Sequence, residues 1–360
     1  RIGVLVGAPC RNPRPEGKDL FNAAWLLSDA SVQQVIHKTC LPTYDVFDEY
    51  RYFEPAYSWE VIPFMGKKLA VTICEDIWNL GDDPLSRICP MDQQLSQSPD
   101  VMINLSASPF AYDQHEKRLA VIKANARKYR LPIYYCNTVG SQTEIVFDGG
   151  SLIADRHGNV VKSLPFFRDA IEGASLEDLQ IAAPEGEPAA ALQLDVPAVH
   201  LATGNMPALT SDQFSRLPFD PERHIERIHA ALISGIRDYF SKMNFTQAVL
   251  GSSGGIDSAV AIALAAEALG PEQVHAVLMP SPFSSGHSVQ DATRLSENLG
   301  NPYRVVAIDQ VYEAFLATLK PAFGDLPFGL AEENIQARSR GNILMSLANK
   351  LGYILLNTSN

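Results

Sequence analysis

The chain has 360 residues, a formal net charge of −12 and five cysteines. That length suffices for two domains, each with its own core, while the acidic balance excludes nonspecific nucleic-acid binding, which needs clustered Lys and Arg. An odd cysteine count with no CxxC pair points to a reducing compartment, the cytoplasm, and away from structural zinc; no apolar run is long enough to cross a bilayer, so no membrane association is expected.

Residues 2–6 read as a buried strand and residues 353–356 as another. With neither an initiator Met nor a targeting segment ahead of the first strand, the chain reads as a fragment cut at both ends. Residues 1–174 alternate apolar strands with polar or helical stretches, the pattern of packed α/β layers. The clearest strands are 69–73, 101–105 and 133–136, and residues 116–129 place Leu119, Ile122 and Ala126 on one helical face. Residues 175–221 turn to Ala, Pro, Glu and Ser without periodicity, as a linker does. A helix over 221–239 opens the second domain, 222–360. There, strands at 248–250, 274–279 and 305–308 alternate with helices at 258–269, 288–299 and 332–351. This order predicts a doubly wound parallel sheet with ligands at the carboxyl ends of its strands. The helix over 258–269 is apolar almost all round, so burial against the sheet is expected.

Two segments carry chemistry. In the second domain, Gly251-Ser252-Ser253-Gly254-Gly255-Ile256-Asp257-Ser258 follows a strand and opens a helix. Such a loop brings backbone N–H groups and a helix N-terminus to phosphate oxygens, so it predicts ATP as substrate. No Gly-Lys-Ser/Thr follows, which excludes a Walker A loop. A bare carboxylate would repel the phosphates, so Asp257 is expected to hold Mg2+. In the first domain, Cys74 directly follows the strand 69–73, where a thiol at a strand-to-loop bend is reachable by substrate. A thiol needs a cation to lower its pKa, and Lys38 is the candidate. Cys10, Cys40, Cys89 and Cys136 are expected to pack as small apolar residues. A Cys–His dyad using His37 or His115 is a weaker reading of the same thiol. His224 and His229, five apart on a helix, point in different directions and form neither a metal pair nor a dyad.

Ser253-Gly254-Gly255-Ile256-Asp257-Ser258 resembles the signature of the ATP pyrophosphatases. Met279-Pro280-Ser281-Pro282-Phe283-Ser284-Ser285 and Glu333-Asn334-Ile335-Gln336-Ala337-Arg338-Ser339-Arg340-Gly341 resemble NAD synthetases within that group. In the first domain, Ile73-Cys74-Glu75-Asp76-Ile77-Trp78 and the segment 38–49 resemble the nucleophile and lysine segments of the nitrilase superfamily, most of all the glutaminase domain of glutamine-dependent NAD synthetases. The resemblance implies a nitrilase-like αββα sandwich followed by a Rossmann-like doubly wound ATP-pyrophosphatase domain. It implies that Cys74 forms a thioester with glutamine, with Lys38 and Glu49 supporting it, and that Tyr44, Glu75 and Ser108 hold the glutamine. It further implies Thr358 as an ATP contact, Asn334, Arg338 and Arg340 as contacts of deamido-NAD, and amidation of that dinucleotide to NAD at the expense of ATP. A homo-oligomer follows by the same resemblance. The family's general-base Glu lies upstream of residue 1, and Gln114, Thr138, Ser141 and Thr143 depart from its usual residues. The alternatives are an ammonia-dependent NAD synthetase with an impaired glutaminase, or another adenylating amidotransferase.

Overall fold

A computed structural model describes residues 2–80, 86–180 and 218–358. The expected linker over 175–221 falls for the most part outside the described residues. Two compact units are present: residues 1–140 with 145–228, and residues 141–144 with 229–360.

The first unit holds two sheets. Strands β1 (Gly3–Arg11), β2 (Leu20–Ser28) and β3 (Ser31–His37) form an antiparallel sheet in that order. The second sheet has six strands in the order β11 (Val160–Ser163), β10 (Leu152–Ala154), β7 (Ile133–Asn137), β6 (Val101–Ser106), β5 (Lys67–Ile73) and β4 (Ile62–Phe64). Its centre, β5-β6-β7, is parallel, and its edges are antiparallel. The sheets meet through Ala24, Leu26, Ile36, Ile62, Val71 and Ile73. On the other face of the six-stranded sheet, α2 (Pro90–Leu95) and α3 (Gln114–Tyr129) bury Met91, Val121 and Ile122 against Ala70, Met102 and Ile133. A four-residue helix, α1 (Glu49–Tyr52), and a short α4 (Leu176–Gln180) complete it; a two-stranded ribbon pairs β8 (Val139–Gln142), whose last two residues count with the second unit, with β9 (Ile145–Asp148).

Two expectations fail here. Residues 2–6 are not buried: Ile2, Val4 and Val6 are exposed, because β1 is the edge of a three-stranded sheet and only its alternate residues, such as Leu5, turn toward the core. Cys136 is exposed on β7 rather than packed, whereas Cys40 is buried as expected.

The second unit begins within α5 (Pro221–Lys242) and continues through β12 (Ala248–Gly251), α6 (Ile256–Leu269), β13 (Val274–Leu278), α7 (Gly286–Leu299), β14 (Tyr303–Val305), α8 (Asp309–Phe323), α9 (Leu330–Leu351) and β15 (Ile354–Leu355). The four strands are parallel in the order β14-β13-β12-β15. Phe240 of α5, Ile262 and Ala265 of α6 and Ala292 of α7 cover one face over Leu250 and Ala276. Ala348 of α9 and Ile308 cover the other over Val249 and Val277. Helices on both faces make the sheet doubly wound, as its alternation predicts. Strand order reverses between β12 and β15, and the crevice beyond their carboxyl ends is where such sheets bind ligands. The third strand is Tyr303–Val305 rather than 305–308, where the chain has already left the sheet. Helix α6 is only half buried, with Ile256 and Val260 exposed, since just one of its faces meets the sheet.

His115 of α3 rests edge-on against Phe166 at 4.9 Å between ring centroids. Burial pushes its pKa down from 6.5 to about 4, and the Arg227 and Arg118 guanidiniums add to the shift. A histidine whose folded pKa lies below its unfolded one leaves stability untouched above pH 6.5 and withdraws it as pH falls toward 4. The first unit should therefore lose about 1–2 kcal/mol of stability between pH 7 and pH 5 through this group. The measurement is its melting temperature at the two pH values, and His115→Phe should diminish the difference.

Candidate functional site

Cys74 directly follows β5 and begins a single 3-10 turn, Cys74–Ile77, with φ at 45°. A left-handed φ on a residue with a side chain is strained backbone, and here it turns the thiol out of the sheet direction at the strand end. Burial pushes the thiol pKa up; the Lys38 ammonium opposes this, the Glu75 and Glu49 carboxylates add to it, and the Ala107 backbone N–H favours the thiolate.

Lys38 follows β3 and is fully buried. Its Nζ lies 2.7 Å from Glu49 Oε1, and the other oxygen of that carboxylate accepts a hydrogen bond from Asn22 Nδ2 at 3.2 Å. Burial alone would lower the lysine pKa, but Cys74 and Glu49 outweigh it, the net shift is upward, and the amine stays charged. Glu49 thus meets a buried lysine, not a surface one. Tyr44 donates to Glu75, with its hydroxyl 2.9 Å from each carboxylate oxygen. Burial raises the pKa of both groups, and for Tyr44 the Glu75 charge adds to it. Ser108, two residues past β6 and next to Ala107, is buried, and its N–H donates to Asn137 Oδ1 at 2.9 Å. Neither histidine of the weaker dyad reading bonds the thiol: His37 stacks flat on Phe21 at 3.9 Å, and His115 packs on Phe166. Asn22, Asp76 and the Ala107 N–H are site groups that the motifs did not single out. Only Asp76, an acid inside the nucleophile segment, left a signal in the sequence.

In the second unit a cavity of about 500 Å³ opens at the carboxyl ends of β12 and β15. Gly251, Ser252, Ser253, Ser258, Arg340 and Thr358 line it. Gly254 has φ at +80°, and a Cβ built on it would run into the Ser288 carbonyl at the start of α7, so only glycine fits. Within the loop, Ser253 N–H donates to Ser258 Oγ at 3.3 Å and Gly255 N–H to Ser253 Oγ at 3.2 Å. Ser252 Oγ is buried at the cavity with no hydrogen-bond partner, a polar atom ready for a ligand. Gly254, Gly255 and Ile256 instead border a second hollow shared with Asp291 and Arg294 of α7. Arg340 donates from Nε to the Met279 carbonyl at 3.1 Å. Arg338 and Asn334 are exposed and do not line the cavity; two positions along a helix turn a side chain by about 200°, so Arg338 and Arg340 look opposite ways. Asp257 is exposed in the first turn of α6. Among the described residues no group of three His, Cys, Asp or Glu gathers to hold a metal.

The first unit thus brings a thiol beside a buried Lys–Glu pair on two sheets, and the second opens a glycine-rich loop onto a cavity on a doubly wound sheet. The NAD synthase family pattern matches residues 228–360. Over the whole chain, a glutamine-dependent NAD(+) synthetase of Synechocystis is 39% identical, with 60% of its own length covered. That of Thermotoga maritima is 37% identical over 95% of the chain and 59% of its own length. The solved glutamine-dependent NAD+ synthetase of Acinetobacter baumannii, a complex with adenosine diphosphate, superposes with a TM-score of 0.80 at 30% identity, covering 100% of this chain and 60% of that one. The chain is thus similar to glutamine-dependent NAD(+) synthetases, and it spans about 60% of the length of these relatives. No helix among the described residues is long and apolar enough to cross a membrane.

Proposed function

We propose that the protein makes NAD from deamido-NAD, ATP and glutamine, in the cytoplasm and as a homo-oligomer. One observation carries the reading: a single chain bears both a thiol within the electrostatic reach of a buried, charged lysine and a glycine-rich loop opening onto a cavity of about 500 Å³.

In the first unit the Cys74 thiol gives up its proton and the thiolate attacks the side-chain amide carbon of glutamine; the C–N bond breaks as its nitrogen takes up that proton and leaves as ammonia, and water then releases glutamate from the thioester and restores the thiol. Lys38 stabilises the thiolate before attack and the oxyanion after it, and Glu49 keeps the ammonium in place. Glu75, with Tyr44 on it, and Ser108 hold the glutamine. In the second unit the loop from Gly251 to Ser258 grips the phosphates of ATP, with Ser252 Oγ and the Arg340 side chain facing the same cavity. The carboxylate of deamido-NAD attacks the α-phosphorus, pyrophosphate leaves, and ammonia displaces AMP to form the amide. Asn334 and Arg338, exposed on α9, are the groups that would reach the rest of the dinucleotide. Asp257 is the residue that would hold Mg2+, and the ion would supply charge neutralisation for the departing pyrophosphate.

The test is which acid triggers pyrophosphate release from ATP by the intact protein. Deamido-NAD should do so; release triggered instead by XMP or aspartate would replace this reading with that of another adenylating amidotransferase.

A further inference from the structure

Cys74 and Lys38 directly follow strands of different sheets in the first unit, β5 and β3, and what sets their separation is visible at Asp76. Its carboxylate is 3% exposed. Oδ1 accepts the Thr39 and Cys40 N–H groups at 3.0 and 2.8 Å, and Oδ2 accepts the Ile73 N–H at 3.0 Å. These amides follow Lys38 and precede Cys74 directly. The other backbone ties of Lys38 run to Asn22 and Ala56, away from β5. The Tyr44–Glu75 contact also joins the two segments, but through two side chains alone and without a backbone donor. Three N–H donors spread over both oxygens need a carboxylate. An asparagine would turn an NH₂ toward one of them, donor against donor, in a buried site.

We infer that Asp76 is a positioning residue: by clamping the residues beside Lys38 and Cys74 to one carboxylate, it fixes the distance between ammonium and thiol and so sets the rate of the thiol chemistry. The inference rests on the proposed reading of Cys74 as nucleophile.

Asp76→Asn in the intact protein tests it, with two readouts per folded molecule: glutamine hydrolysis, and the pH dependence of Cys74 alkylation by iodoacetamide, followed on the Cys74 peptide because the Cys136 thiol is exposed as well. Deleting a nearby negative charge should by itself lower the thiol pKa. Loss of the lysine's position should raise it, since Lys38 is the cation opposing Glu75 and Glu49 there. We expect kcat to fall about 100-fold, as misplacement by about an ångström does, with KM for glutamine changed less than about threefold, and the thiol pKa to rise by about one unit. A thiol pKa that falls or stays put overturns the inference. So does a kcat loss matched by KM, or none beyond about twofold. If the Asn protein does not fold, Asp76→Glu, which keeps the charge but lengthens the arm, is measured in the same way and should shift in the same directions. Wild-type protein that releases no ammonia from glutamine would defeat the proposed reading instead, while the alkylation profiles would still report on Asp76.

Discussion

With Cys74 replaced by alanine, the intact protein should still form NAD from ammonia at close to its normal rate, while formation from glutamine falls at least about 10³-fold. The loss is large because the neighbouring amine cannot take over as nucleophile. Lys38 is held in an ion pair with Glu49 at 2.7 Å and kept protonated, so its nitrogen carries no free lone pair. Alanine keeps the Cβ and the left-handed backbone of residue 74, so the turn around it need not rearrange. The measurement is NAD formation with saturating ATP and deamido-NAD and either nitrogen source. Equal loss with both sources would end the division of labour between the two units.

The second large effect is expected at Gly254. Alanine there meets two obstacles at once: φ at +80° is disfavoured for a residue with a side chain by about 1–2 kcal/mol, and the new methyl collides with the Ser288 backbone. Backbone yields less readily than a side-chain tip, so the loop must move. Displacing it by about an ångström should lower synthesis about 100-fold with either nitrogen source. The same change at Gly286, where a Cβ meets nothing, is the control and should leave synthesis within about twofold. ATP-dependent release of pyrophosphate separates the two; a Gly254→Ala protein as active as the control would remove the loop from the nucleotide site.

Legibility in the sequence followed chain continuity. The phosphate loop is eight consecutive residues whose order already spells strand end, turn and helix start, and the alternation around it fixed the parallel sheet. Cys74 could be read because the strand before it is short and apolar and stops at the thiol. The antiparallel sheet was harder. In β2, Ala23 and Ala24 are both fully buried, so the period of two that marks a half-buried strand is missing. The part played by Asp76 was hidden for another reason: it depends on a carboxylate bonding amides 36 and 37 residues away as well as one three residues away. No spacing rule links such positions. For Arg338 and Arg340 the helical phase was readable, and applying it separates the two residues that their nearness in sequence had joined.

The serine hydroxyls of the phosphate loop bear on how an anion is received. Ser253 N–H and Gly255 N–H, two of the donors a phosphate would use, already point at the loop's own oxygens, at 3.3 and 3.2 Å. Binding is therefore a swap of partners, not the filling of a vacancy. Bonds that long are weak and readily surrendered, yet a lone phosphate gains little by replacing them, whereas a nucleotide that also fills the neighbouring hollow gains from both. The loop's own serine bonds should thus disfavour a small anion relative to a nucleotide.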